Sequence, residues 1–333
     1  MAKTCLVTGG LGFIGQYVVQ ALLARGETVR ILDLNRPTQP IKGVEYIQGS
    51  ITDQGLVYAS MAGVQWVFHL AANAGLWSPC KQDFLTVNQT GTRYVMMAAQ
   101  AAGVERVVHT STESILKTNQ PQAHGIIDES VSLTFEDMVG PYCQGKFLAE
   151  QEALAAANRG LPVVVVNPTI PIGPCDRNLT PPSRMILGFL NGDYPAFLNS
   201  TLNLVDARDV AAGHLLAIEK GHVGERYLLG NAHLQIKDLL QLLTDLTGLP
   251  MPRRQVPYWL ALAVSAVQEF VADQITHRPP SAPLTGVRLA ASPLRFDSQK
   301  ARRELGFAGR PVRDSLLDAI RWYAEQGLLR RKI

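Results

Sequence analysis

Short runs of β-branched and aromatic residues alternate with longer helical stretches through the first half of the chain. Runs at 4–8, 28–32, 44–48, 66–69, 106–109 and 163–167 predict strands, and stretches at 13–25, 55–62, 81–102 and 142–158 predict helices. The strand runs are continuously apolar, as expected of strands buried on both faces. Strand–helix alternation of this kind predicts an α/β fold built on a doubly wound parallel sheet.

After residue 167 the pattern loosens. Pro168, Pro171, Gly173, Pro174, Pro181 and Pro182 predict a stretch that is mostly loop. Beyond it the periodicity predicts helices at 184–191, 207–220, 236–247, 257–275 and 313–326 and a strand at 226–229. Residues 1–170 thus read as one domain, completed by parts of 202–230, and 171–333 mainly as a smaller, mixed C-terminal lobe for substrate. The helix at 257–275 opens Pro257-Tyr258-Trp259-Leu260 and is apolar around most of its circumference for three turns. Three readings are open for it: a buried core helix, the wall of an apolar pocket, or a helix resting on a membrane surface near the basic end Arg330-Arg331-Lys332.

Composition narrows the classes. Hydrophobic residues make up 47% of the 333 and charged residues 18%, which suits a packed globule. A net charge of +3 gives no reason to expect nucleic acid as a partner. Cys5, Cys80, Cys143 and Cys175 are scattered, and His69, His109, His124, His214, His222, His233 and His277 form no metal-ligand spacing, so no metal is expected. His69 and His109, near strand ends, read as structural. No leader pattern and no apolar run of membrane-spanning length is present, and the expectation is a cytoplasmic protein with reduced thiols.

The candidate chemistry starts at the first strand, which runs into Gly9-Gly10-Leu11-Gly12-Phe13-Ile14-Gly15 and then a helix. Glycines there allow a tight turn and bring backbone N–H groups and the helix dipole onto a pyrophosphate, the Rossmann arrangement. Asp33 ends the second strand, where a carboxylate can bond both ribose hydroxyls of an adenosine. That favours NAD over NADP, although Arg36 stands close enough to serve a 2′-phosphate.

Tyr142-Cys143-Gln144-Gly145-Lys146 places a phenol and an ammonium one helical turn apart on one face. The ammonium is expected to lower the phenol pKa, so that Tyr142 exchanges a proton with a substrate oxygen near neutral pH. His109-Thr110-Ser111-Thr112 closes the fifth strand, at the sheet edge where open parallel sheets bind ligands.

Together TGGLGFIG at 8–15, Asp33, HLAA at 69–72, VNQTGT at 87–92, TSTES at 110–114, YCQGK at 142–146 and NPTIPIGP at 167–174 resemble the extended short-chain dehydrogenase/reductase family, in its epimerase/dehydratase-like branch. The resemblance covers essentially the whole chain. It implies that Thr112, with Ser111 as the fallback, joins Tyr142 and Lys146 in a triad. It also implies cofactor contacts from Gly9, Gly12, Phe13, Ile14, Gly15, Asp33, Ser50, Ile51, Leu70, Ala71, Ala72, Asn88, Tyr142, Lys146 and Pro168, and a homodimer. Ser50 stands where the family often carries an Asp, so an adenine contact there lacks charge. Asp53 reads as a helix cap.

NPTIPIGPCDRN, the segment 202–221 and GERYLLG at 224–230 are similar to hopanoid-associated sugar epimerases, to dihydroflavonol reductases and to 3β-hydroxysteroid dehydrogenase/decarboxylases. Those relatives differ in substrate. The first hypothesis is therefore an NAD(P)-dependent oxidoreductase acting on a secondary alcohol of a bulky apolar, sterol- or triterpenoid-like substrate, with loss of CO2 where a β-keto acid results. The second is a nucleotide-sugar epimerase with tightly bound NAD, for which Arg177, Arg184, Arg278 and Arg288 are the cations available to a second pyrophosphate. The third is a nicotinamide-binding regulator without turnover. Glu113 is followed by Ser114, so the paired acid and base of a dehydratase is disfavoured.

Overall fold

The computed structural model describes residues 2–117, 125–291 and 295–332; His124 lies outside them. Seven strands form one sheet: β1 (Thr4–Thr8), β2 (Thr28–Asp33), β3 (Glu45–Gln48), β4 (Trp66–His69), β5 (Arg106–Thr110), β6 (Val163–Pro168) and β7 (Arg226–Leu229). Their order is β3-β2-β1-β4-β5-β6-β7, and every pairing is parallel. The order reverses between β1 and β4, and the crevice beyond the carboxyl ends of the strands at such a reversal is where ligands bind. The register aligns those ends. Thr8 stands opposite Leu32 and His69, His69 opposite His109, and Thr110 opposite Val166.

The helices are α1 (Gly15–Ala24), α2 (Gln54–Ser60), α3 (Gly91–Ala101), α4 (Gly140–Asn158), α5 (Pro181–Asn191), α6 (Ala207–Lys220), α7 (Ile236–Thr247), α8 (Tyr258–Val271), α9 (Leu284–Ala290) and α10 (Val312–Glu325). Helices α1 and α6 cover one sheet face through Val18, Leu22, Val210 and Leu215, all buried. Helices α2, α3 and α4 cover the other through Val57, Val95, Met96, Ala153 and Ala156. The valine run of β6 is fully buried between these layers, which explains its lack of alternation.

A second core gathers Phe189, Leu190, Leu239, Leu243, Leu316, Ile320 and Tyr323 from α5, α7 and α10. Above it Thr201–Asp206 pairs in parallel with Ile170–Ile172 and antiparallel with Ala232–Gln235. Helix α8 leans on α9 at the rim.

Three departures from the sequence expectations concern the C-terminal half and the helix that leads into α3. The proline-crowded stretch is not all loop: Ile170–Ile172 is a strand, and Pro181 and Pro182 occupy the first turn of α5. A proline there lacks only an N–H that would have no helical partner. The helix expected at 81–102 begins at Phe84, as π-helical turns through Thr90 that run on into α3. Third, α8 is neither a core helix nor enclosed as a pocket wall: Ser265 is its one buried residue.

Candidate active site

The cofactor half of the site follows from the first turn. The chain leaves β1 through Gly9, whose φ is +70°. A Cβ there would lie 2.8 Å from the backbone nitrogen of Ala71, so the loop after β4 closes directly on this turn. Gly12 N–H donates to Gly9 O at 3.0 Å, and a Cβ on Gly15 would collide with the same oxygen. Helix α1 then opens behind Phe13 and Ile14 with no side-chain cap. The N–H groups of Gln16, Tyr17 and Val18 are already taken by Gly12 O and Ile14 O, so what fits an anionic pyrophosphate is the positive end of the helix together with the close backbone approach that the glycine turn allows.

Asp33 Oδ2 accepts the N–H of Leu11 at 3.1 Å and Oδ1 accepts that of Asn35 at 3.0 Å. The carboxylate thus fixes the glycine loop and the turn after β2, and each oxygen keeps a lone pair for a ribose hydroxyl. Arg36 is exposed and donates to the Gln48 side chain. Ser50 Oγ is paired with Thr52 Oγ1 at 2.7 Å, Ile51 is buried, and Asp53 caps α2 by accepting from Leu56 N–H.

The loop after β4 is held at both ends. Leu70 N–H donates to Thr8 O, and Ala71 N–H to Thr8 Oγ1, while Ala72 is partly buried beside them. Asn88, expected to contact cofactor, engages both ends of its carboxamide with the backbone of Asn73, accepting at 2.7 Å and donating at 3.2 Å. Its place in the site is to set the loop that lines it. From the other side, Pro168 ends β6 buried, and the loop that follows is tied to α1 by Gln16 donating to Cys175 O and Tyr17 to Pro174 O.

The reacting groups sit beyond β5. Lys146 is 5% exposed and donates to Thr110 O at 2.7 Å. Burial lowers its pKa to about 8, against the pull of Glu150. Tyr142 is half-buried and edge-on to Phe84, and the Thr112 side chain is close enough to act on its phenol. The expected lowering of the phenol by Lys146 does not occur. Burial raises the Tyr142 pKa, Cys143 and Glu113 raise it further, and only the Thr112 hydrogen bond acts in the opposite direction. The physical reason is that the Lys146 ammonium is turned to the end of β5, onto a carbonyl.

Thr112 Oγ1 also donates to Glu113 Oε2 at 2.9 Å, and Ser114 Oγ lies 3.3 Å from the same carboxylate oxygen. Ser111 Oγ is buried without a hydrogen-bond partner, while its N–H is fixed to Val166 O at 2.7 Å. Of the two hydroxyls, Thr112 is the one that acts on the Tyr142 phenol.

Two residues of this assembly escaped the sequence reading. Asn167 Nδ2 donates to Thr112 O at 3.2 Å and to Glu150 Oε2 at 2.8 Å, and Glu150 pairs with Arg226 at 3.3 Å. Both are fully buried. Glu150 follows Lys146 by four, so a Tyr-Lys-Glu series at helical spacing was the available signal. Asn167 opens the NPTIPIGP motif, but nothing local shows its bonds, because its partners come from α4 and the turn after β5.

His69 sits between Thr8 Oγ1 at 2.7 Å and Thr92 Oγ1 at 2.9 Å. Its ring lies 5.2 Å from that of His109, and burial pushes its pKa down to about 3. Among the described residues no cluster of His, Cys, Asp or Glu is arranged to hold a metal, and no helix is long and apolar enough to cross a membrane.

The chain is similar to known proteins along almost its whole length. The chain is 38% identical to a putative dihydroflavonol 4-reductase of Synechocystis sp., over 99% of this chain and 97% of that one. It is 36% identical to sterol demethylase protein B of Methylococcus capsulatus, over 98% of this chain and all of that one. The crystal structure of gox2253 superposes with a TM-score of 0.84 at 33% identity, covering 98% and 100% of the two chains. Residues 5–230, from β1 to the end of β7, match the model of the NAD-dependent epimerase/dehydratase family. The glycine turn, Asp33 and the Thr112–Tyr142 pair all fall inside that match, and the chain is an enzyme belonging to the NAD-dependent epimerase/dehydratase family, of the short-chain dehydrogenase/reductase type.

Proposed function

We propose that the protein interconverts a secondary alcohol and a ketone on a bulky apolar ring system of sterol or triterpenoid type, with NAD preferred to NADP. The observation that carries the reaction is the Tyr142 phenol on α4 one turn from buried Lys146, whose ammonium is fixed to Thr110 O at the carboxyl edge of the sheet, with the Thr112 side chain close enough to act on the phenol. Bound NAD supplies the hydride acceptor or donor. Tyr142 exchanges the proton of the substrate oxygen, and Thr112 orients that oxygen. Lys146 has three donors, of which Thr110 O takes one, leaving donors for a ribose hydroxyl of the cofactor. Burial holds the phenol protonated at neutral pH, the form that delivers a proton in ketone reduction. The reverse oxidation needs the phenolate and speeds up as pH rises. Where the carbon beside the new ketone bears a carboxylate, the β-keto acid loses CO2 without further residues.

The sterol-type substrate is supported by the relative named sterol demethylase protein B. A dehydratase is opposed by Glu113, whose carboxylate is buried and bonded to its neighbour Thr112. The nucleotide-sugar reading needs cations around a second pyrophosphate. Arg177, Arg184, Arg278 and Arg288 are all exposed, on separate elements, and Arg184 donates to Leu179 O.

The test is turnover. Incubation of 3β-hydroxysterols or triterpenols with NAD should produce NADH, faster than NADPH forms with NADP. Epimerisation of a sugar nucleotide with retained NAD, no net NADH and no sterol oxidation would reverse the assignment.

A further inference from the structure

Helix α8 is amphipathic in the wrong sense for a packed helix. Its polar side chains face the protein and are satisfied there. Ser265 is fully buried and donates to Ala282 O at 2.7 Å. Gln268 Oε1 accepts from Ser281 Oγ and Ala282 N–H, and Glu269 accepts the N–H of Leu284 at 2.8 Å. Asp273, in the π-helical turn Ala272–Thr276 that continues the helix, accepts from Trp77 Nε1 and Lys81 Nζ. The opposite face carries Trp259, Ala263, Val267 and Phe270, at spacings of three and four, with Leu260 and Val264 alongside. Trp259 is 69% exposed, Val267 63% and Phe270 65%, and Ile275 continues the strip past the helix end. An unbroken apolar helix face of this kind marks an interaction surface rather than scattered surface residues.

Charge decides what fits it. The helix's own carboxylates are turned inward toward Lys81 and Leu284. The exposed cations Arg253 and Arg254 precede the helix and exposed Arg278 follows it, and none has an ion-pair partner among the described residues. A second copy laid on this face, parallel or antiparallel, would set cation against cation at each end. An anionic bilayer surface instead offers apolar depth for the strip and opposite charge for both ends. Tyr258 and Trp259 at the entry suit the headgroup boundary.

We propose that α8 is a membrane-docking helix, with its Trp259–Val267–Phe270 face inserted into an anionic lipid surface and Arg253, Arg254 and Arg278 on the headgroups. The inference stands independently of the substrate. The π turn anchors the helix through Asp273 to Trp77 and Lys81, in the segment after β4.

The experiment is vesicle flotation of the NAD-loaded protein. Vesicles of phosphatidylcholine containing phosphatidylserine should carry about tenfold more protein than phosphatidylcholine alone, and added salt should reduce the difference. Val267→Asp/Phe270→Asp should abolish flotation while keeping the thermal midpoint and NAD binding, since both side chains are exposed. Arg253→Gln/Arg254→Gln, which leaves the apolar face intact, should remove the preference for phosphatidylserine. Wild-type protein that fails to float on either vesicle, or a Val267→Asp/Phe270→Asp variant that floats as well as wild type, overturns the proposal. So does a wild-type dimer in lipid-free solution that this variant converts to monomer, which assigns the face to a second copy.

Discussion

At the residue scale the site rests on a few contacts whose removal has distinct consequences. Tyr142→Phe deletes the proton carrier and keeps the ring against Phe84, so kcat should fall about 10²- to 10⁴-fold with NAD affinity unchanged. Thr112→Ala should lower kcat more than Ser111→Ala, because Thr112 is the hydroxyl whose side chain acts on the phenol, while Ser111 Oγ is buried without a partner. Lys146 predicts a pH profile. Its pKa is lowered to about 8, so it is a cation below that value and neutral above it. Ketone reduction should hold steady through neutral pH and fall as pH rises through about 8, and Lys146→Arg should move that fall to higher pH. A fall at the same pH in Lys146→Arg would assign it to another group. Tyr142, Lys146, Asp33 and the glycine turn were legible because each lies within a local motif. The direction of the Tyr142 shift was not, since spacing places an ammonium one turn away and cannot say that it points at a carbonyl. Asn88 shows the same limit: its place in a recognisable motif was visible, its bonds to Asn73 were not.

At the element scale the sequence reading did best where local chemistry marks an end. Helices α6 and α7 keep their expected bounds, the first capped by Asp206 accepting Arg208 N–H and the second closed by Gly248 in the left-handed region. It did worst where pairing is non-local. Thr201–Asp206 is a strand because Ile170–Ile172 and Ala232–Gln235, each about thirty residues away in sequence, flank it. Helix α8 was ambiguous for another reason, since a helix apolar on most sides does not declare which side the protein takes. The contact that aims the catalytic helix is a further element-scale feature. A Cβ on Gly145 would lie 2.5 Å from Phe84 O, so α4 lies against the backbone of the π-helical turns only because residue 145 has no side chain. Gly145→Ala should destabilise the fold by about 1–3 kcal/mol and, by tilting α4, lower kcat as well. Urea midpoints and kcat measured on the same preparation test both effects. An unchanged midpoint would mean that the two backbones can separate without loss.

At the scale of the whole molecule, the sheet that gathers the site also gathers buried histidines beside a buried cation. His69 and His109 stand opposite each other at the ends of β4 and β5, and His214 reaches the same edge from α6. His214 Nδ1 lies 2.8 Å from Val210 O and must donate to it, so in the neutral ring Nε2 accepts from Thr110 Oγ1. Burial lowers all three pKa values, to about 3 for His69, to about 4 for His214 and well below the usual range for His109. Lys146 adds its charge against protonation of His69 and His109. In the unfolded chain the same histidines titrate near 6.5, so below that pH the unfolded state binds more protons than the folded state and stability falls with pH. Each histidine contributes a slope of about 1.4 kcal/mol per pH unit, and three together about 4 kcal/mol per unit once pH is well below 6.5. Against a total stability of about 5–15 kcal/mol, that is enough to bring global unfolding within a few pH units of neutrality. The urea midpoint should therefore drop steeply between pH 6.5 and pH 5, and His214→Gln should make the decline about one-third shallower. A midpoint that stays level across that interval would mean that the histidines are charged in the folded protein, and the neutral ring of His214 that accepts from Thr110 would have to be redrawn.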